Sequence, residues 1–390
     1  MKKLLSLALA LLLLAVMLPV VSMADEITWE ESKNVYWQAG ETSGQTATLA
    51  EALKAAYMAN KGDITITCRP NSDVGSLTHG HVADNITIIG NGAYISGGEC
   101  DLEVDTYQFN RATGVQDENN GVYLEKDITI TVSNLYNLGV WGQRHTNYTV
   151  NINLTNCDSK EISGKVNVQR VYISGTTGVN NITVTGCDFL TKATALYSNA
   201  DGTVVIDNCT FNGGQVPVNF NHKADGIQTV TVKNSTFTSC GDTGDWRAFA
   251  APVRFVNSGN GSLNATIENN TFTGTVGNNG DILLGDYRDG ETSNDFTATI
   301  TPNGTTKVRN SGITDEPTPI TGKVTADAKG NITRVQEEGP TTIVIINPTQ
   351  DTPKTDDQKN PTTGANDLVA VAVAAAALAL AGSAIILRKD

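Results

Sequence analysis

Little in this sequence advertises chemistry. Its 390 residues include six cysteines, Cys68, Cys100, Cys157, Cys187, Cys209 and Cys240, and no two stand at the CxxC spacing of a zinc knuckle or redox pair. Positive charge is scarce too, with 27 Lys and Arg against 41 Asp and Glu and a formal charge of −14. A chain this acidic is repelled by polyphosphate, so no nucleic acid is expected as a partner. The one adjacent Asp pair, Asp356-Asp357, falls in a stretch with no apolar residue near it, where no active site would be built.

What is present begins with an address at each end. Lys2 and Lys3 precede an apolar run from Leu4 to Val21, and Ser22-Met23-Ala24 sets small residues where a signal peptidase cuts. Residues 1–24 read as a signal peptide, an uncleaved anchor being the other reading. At the far end Leu368 to Leu387 carries no charge over 20 residues and is followed by Arg388-Lys389-Asp390. That length suits a bilayer span with its cations on the cytoplasmic side. Directly before it stand Asn360, Pro361, Thr362, Thr363 and Gly364. The three-part tail resembles the sorting signal of Gram-positive surface proteins. The resemblance implies that a sortase cuts after Thr363, joins it to peptidoglycan and removes 364–390, although Asn360 stands where Leu is commonest. A plain transmembrane anchor is the alternative, and the membrane is touched only through this span. Either way the protein is expected on the cell surface.

The stretch 347–359 (NPTQDTPKTDDQK) cannot bury a core and reads, with the motif to 363, as an extended wall-spanning linker. The folded part is then 25–346. Without 1–24 (two Lys) and 364–390 (Arg388, Lys389, Asp367, Asp390), 23 basic and 39 acidic side chains remain, a formal charge of about −16. A neutral glycan, or an acidic one bridged by Ca²⁺, suits such a surface better than a free polyanion; no other cofactor is implied.

Inside that region one unit recurs. The stretches 181–189 (NITVTGCDF), 203–211 (TVVIDNCTF), 229–237 (TVTVKNSTF) and 264–272 (NATIENNTF) share alternating positions, then Asn or Gly, a small residue, Asp or Thr, and Phe. A fifth copy, 151–158 (NINLTNCD), lacks the Phe. Short units with insertions between them mark a solenoid. The period is 2, with Val204 and Ile206 on one side and Thr203, Val205 and Asp207 on the other, so the units are strands. Asn208 and Gly186 tolerate a left-handed turn, after which Cys209 and Phe211 point inward. Near the start, Thr48-Leu49-Ala50-Glu51 is a capping box that opens a helix over about 48–60, well placed to cover the first coil.

The expected fold is all-β, a right-handed parallel β-helix with an N-terminal capping helix, coils over about 63–305 and further strands over about 306–346. With the cap helix, the NITIIGNGAYI turn (85–95) and the repeated Asn-x-Thr-Phe, residues 45–305 resemble the pectin-lyase-like superfamily. That superfamily holds lyases, hydrolases, tail-spikes and adhesins, so the resemblance implies the fold and leaves the activity open.

Within this fold the repeat position of Cys157, Cys187 and Cys209 would stack them as small buried side chains, with a disulfide between coils as the alternative. The sequon at Asn208 and its many copies are explained by turn chemistry. Sugar-cleaving members of the superfamily use an Arg-x-Pro-x-x-Arg setting with Ca²⁺, or clustered Asp with Gly-His-Gly. Here Arg247 to Arg254 flanks Pro252 at the wrong spacing, and His79-Gly80-His81 does not reproduce the turn. Arg254 is the one weak catalytic candidate. Carboxylates brought together in space, as among Asp281, Asp286 and Asp289, would need an exposed loop to be more than it reads.

The best site candidate is the strand that follows each turn: 169–174, 195–199, 217–223, 252–257 and 283–288. These would set Arg170, Tyr172, Tyr197, Asn219, His222, Arg254, Asp286 and Tyr287 along one face, suited to a glycan chain. The other reading is an ordinary solvated exterior. The expectation is a wall-anchored surface protein for adhesion or glycan binding, at an extracellular glycan or host surface. A polysaccharide lyase or glycoside hydrolase and a passive stalk are the competing classes.

Overall fold

The computed structural model describes residues 27–335, apart from 60, 78–79, 99, 105–108, 111–114, 118–123, 143–146, 163–164, 167–169, 242–249, 286–293, 295, 311–316 and 328–331. The signal stretch, the linker with Asn360 to Gly364, and the apolar run 368–387 lie outside these residues, as do Asp286, Tyr287 and Asp289. No helix among the described residues is long and apolar enough to cross a membrane.

Among the described residues the chain winds into a parallel β-helix whose three largest sheets have 13, 10 and 4 strands. One coil visits all three: Val179–Thr185 lies in the first sheet, Asp188–Leu190 in the third and Leu196–Ser198 in the second, before Gly202–Asp207 rejoins the first one rung on. Register gives the length of a bare coil. Ile64 lies beside Ile86, Ile130 beside Ile152 and Ile182 beside Val204, a repeat of 22 residues each time. Longer coils carry their extra residues in the stretches of chain that precede or follow a strand of the second sheet: 105–127 after Asp101–Val104, 159–170 before Val171–Ile173, 239–252 before Val253–Asn257 and 285–295 after Ile282–Leu284.

The corner of each coil is a left-handed residue. Asn156, Asn208, Asn234 and Asn269 have φ between 51° and 55°, and Gly186 has 63°. Asn carries this conformation at little cost and reverses the side-chain parity there. Cys209 and Phe211 are therefore buried, as expected. Phe189, Phe211, Phe237 and Phe272 stack in order, with centroids 5.0, 4.7 and 5.0 Å apart and nearly parallel rings.

All six cysteines are free and buried. Those at the corner do more than fill space. The Cys157 amide donates to Cys187 Sγ (3.3 Å), that of Cys209 to Ser235 Oγ (3.1 Å) and that of Ser235 to Asn270 Oδ1 (2.9 Å). Each side chain thus satisfies an inward-facing amide of the coil before it, which an apolar residue would leave unpaired.

Both ends of the stack are closed. Helix α1 (Leu49–Ala59) buries Leu49, Ala52, Leu53, Ala56 and Tyr57. Its expected capping box is formed: the Glu51 amide donates to Thr48 Oγ1 (3.2 Å) while Glu51 Oε2 accepts from Thr48 and Ala47 (3.4 and 3.1 Å). A hairpin that sequence reasoning did not anticipate precedes it, Val35–Ala39 running antiparallel to both Thr42–Thr46 and Ile64–Cys68. At the other end Val324–Asp327 turns antiparallel onto Phe296–Thr301, and Ile332–Arg334 follows. Antiparallel closure stops the parallel ladder from templating further strands.

Candidate functional site

On the second sheet the residues that point away from the core form one column in register. From the N-terminal end it runs His81, Glu103, Trp141, Tyr172, Tyr197, Asn219, Arg254, Leu283 and Arg309. Their strand neighbours, such as Val171, Ile173, Leu196, Val218, Phe220 and Phe255, fill the core and fix the alternation.

Exposure along the column is uneven, and this shapes the site. Glu103 and His81 are buried at one end and Arg254 (3% exposed) and Leu283 at the other, while the four central rungs are half-buried. Leu283 belongs to a small separate apolar cluster with Val216 and Ala251. The open part, which we call the trough, is a half-buried strip four rungs long between buried rungs, about 14 Å at one coil per 4.8 Å.

Inside the trough Tyr172 and Tyr197 stack with centroids 4.5 Å apart and planes 14° from parallel. Each ring gives one face to the other, so the pair offers its edges and hydroxyls rather than two free faces. Burial pushes the Tyr172 phenol up, and the nearby Arg170 guanidinium pulls it partly back. Arg170 lies beside the column. Its guanidinium pairs with Asp101, whose side chain is buried, and sits 6.0 Å from the Trp141 ring centroid. Gly139 separates Asp101 from Arg170 in register, and a Cβ there would collide with the Asp101 carboxylate. The absence of a side chain lets the ion pair reach across a coil.

Of the eight residues expected on this face, Tyr172, Tyr197, Asn219 and Arg254 form consecutive rungs and Arg170 flanks them. Asp286 and Tyr287 lie outside the described residues. His222 is a correction. The strand Val218–His222 alternates, so His222 shares the inward side of Val218 and Phe220 and is fully buried. Its ring nitrogens meet Asp201 Oδ1 at 2.8 Å and Asn257 Oδ1 at 3.2 Å, and it braces the turn back to the first sheet. Arg254, the catalytic candidate, is turned to the protein: its Nη1 donates to Asn219 Oδ1 at 3.0 Å.

Sequence reasoning missed Trp141, Glu103 and His81. The coil holding Trp141 lacks the Asn-x-Thr-Phe turn, and its corner is instead Asn134 and Asn137, both left-handed. Those two asparagines before the run Gly139–Gly142 are the signal that would have found it. No family model matches this chain, and no curated protein or solved structure does so either.

Proposed function

We propose that this is an exported, wall-anchored surface protein that binds a glycan chain in the trough of the second sheet. The observation that carries this reading is the column Trp141–Tyr172–Tyr197–Asn219, half-exposed between the buried charged rungs of Glu103 and Arg254. An aromatic and amide lining closed at both ends suits a short run of sugar units, with the indole against a sugar face and tyrosine hydroxyls and the Asn219 amide on its hydroxyls. Binding is favoured over cleavage because the two arginines of the site are occupied within the protein, Arg170 by Asp101 and Arg254 by Asn219. The acidic chain favours a neutral glycan, or an acidic one bridged by Ca²⁺. Anchoring rests on the sequence Asn360 to Gly364 and its apolar tail: sortase and peptidoglycan are the partners it implies.

The test incubates the full-length chain with soluble plant, host and microbial glycans, with Ca²⁺ and with chelator. Retention without products supports binding, new unsaturated or reducing ends mean lyase or hydrolase, and no effect leaves a stalk. For the anchor, Thr363→Ala should leave the protein in the detergent-soluble membrane fraction while the native chain needs muramidase for release. Equal extraction of both would refute sorting.

A further inference from the structure

The outer face of the first sheet carries a second regularity. Its central column runs Thr65, Thr87, Thr131, Asn153, Thr183, Val205, Thr231, Thr266, Thr299, Thr325 and Thr333, and the register joins every rung to the next. Nine of these eleven residues are Thr, and none is buried. The column on one side of it, from Asn85 to Thr297, is also uncharged and holds only Asn and Thr, whereas the column on the other side carries Asp207, Lys233 and Glu268 and bounds the uncharged strip at two columns. Its amides are fixed in place, Asn181 Nδ2 donating to Asn151 Oδ1 (3.0 Å) and the Thr203 amide to Asn181 Oδ1 (3.0 Å).

Strand propensity favours Thr at such positions, but it acts equally on the second sheet, whose outer column holds seven residue types in nine rungs. Uniformity on one face alone therefore has another source. The uncharged columns also stand out in a chain of formal charge −14. Each rung offers a methyl and a hydroxyl in fixed geometry about every 4.8 Å, close to the length of one sugar unit, with columns about 6.6 Å apart.

We propose that this face is a docking surface for the flat face of an insoluble, uncharged polysaccharide. Threonine methyls would lie against sugar C–H groups while hydroxyls exchange hydrogen bonds with sugar hydroxyls. One soluble chain would meet a single column of weak contacts, whereas a solid presents parallel chains to both columns at once and gains by multivalency. The proposal does not depend on the trough, which would take single chains.

The test is depletion of the full-length chain, in mild detergent, by microcrystalline cellulose and by chitin powder. Retention on one of the solids is expected, undiminished by soluble oligosaccharides of the same sugar. Thr183→Lys, Thr231→Lys and Thr266→Lys together should lower retention at least tenfold with the circular dichroism and Tm kept. If the lysine variant does not fold, Thr→Val at the same positions keeps the β-branched shape, removes the hydroxyls and should still weaken retention severalfold. Trp141→Ala should leave it unchanged. The proposal fails if both solids leave the protein in solution, if both Thr variants bind as the native chain does, or if retention is lost with Trp141→Ala. It fails equally if sedimentation shows that the Thr face instead pairs two copies of the chain.

Discussion

The two long sheets share one core and are built by the same coils, yet their outer faces differ. On the first, two columns are runs dominated by Thr and Asn in which neighbouring rungs mostly match, while a third carries Asp207, Lys233 and Glu268; the outer column of the second changes chemistry at almost every rung. The difference lies in where the chain spends its extra residues. Every long insertion enters or leaves the second sheet, while the corner between the first and third sheets is held to one left-handed residue. A solenoid can vary one face freely because its stability comes from the stacking of coils inside, which the other corner keeps in register.

That division predicts a core lesion that spares neither face. Phe211 is fully buried and sandwiched between Phe189 and Phe237, so Phe211→Ala opens a cavity inside the stack. A loss of about 3 to 5 kcal/mol is expected in denaturant unfolding, and both the trough and the Thr face should lose function together on warming. Loss of one face at a lower temperature than the other would show that the sheets melt separately.

A smaller and one-sided effect is expected at the ion pair beside the trough. Arg170→Ala leaves the Asp101 carboxylate buried without its cation. It should cost about 2 to 3 kcal/mol, weaken retention of soluble glycans and leave the Thr face alone. Arg170→Lys should recover only part, because one ammonium cannot replace the guanidinium fork. A variant as stable as the native chain would mean that Asp101 has another means of compensation.

Much of the fold was legible in the sequence because it repeats. Val204, Ile206, Cys209 and Phe211 fall inside as the period and the Asn208 turn require, and the Thr48–Glu51 box caps the helix. The antiparallel hairpin over 35–46 was not legible, since no copy of the repeat lies there to be aligned. The site was half legible. Tyr172, Tyr197, Asn219 and Arg254 follow from counting along the strand after each turn, but His222 does not: it sits an odd number of residues from Asn219, and parity alone turns it inward. What the sequence could not give is exposure. Arg254 reads as a reactive cation, yet it is buried and donates to Asn219.

Single truncations in the trough should be milder still. Trp141→Ala and Tyr197→Ala each remove part of the lining without touching the core, so stability should hold while affinity for a retained soluble glycan falls by about 1 kcal/mol, roughly fivefold. Trp141 should matter more, because Tyr197 gives one ring face to Tyr172. Equal binding by the double variant would remove the trough from consideration and leave the Thr face as the functional one.

The mildest single change is expected beneath both faces, at the thiol column, in Cys187→Ser. Cys187→Ser should cost under about 1 kcal/mol, because Ser235 already fills the same place in a later coil and accepts the Cys209 amide at 3.1 Å. Cys187→Val removes the acceptor for the Cys157 amide and should cost more, about 1 to 3 kcal/mol. The order of the two variants is the decisive point: a purely apolar stack would prefer Val. The thiols themselves should be silent to reagents in the native state at pH 8 and react on denaturation without a reductant. Burial pushes Cys68, Cys100 and Cys240 up to about 12 from an ordinary value of 9.0. The unfolded chain therefore loses these protons first, and the stability they contribute is present below about pH 9 and lost as pH rises toward 12. Fast labelling of the native chain at pH 8 would contradict this burial, and a Cys187→Val variant as stable as Cys187→Ser would contradict the hydrogen-bonded corner.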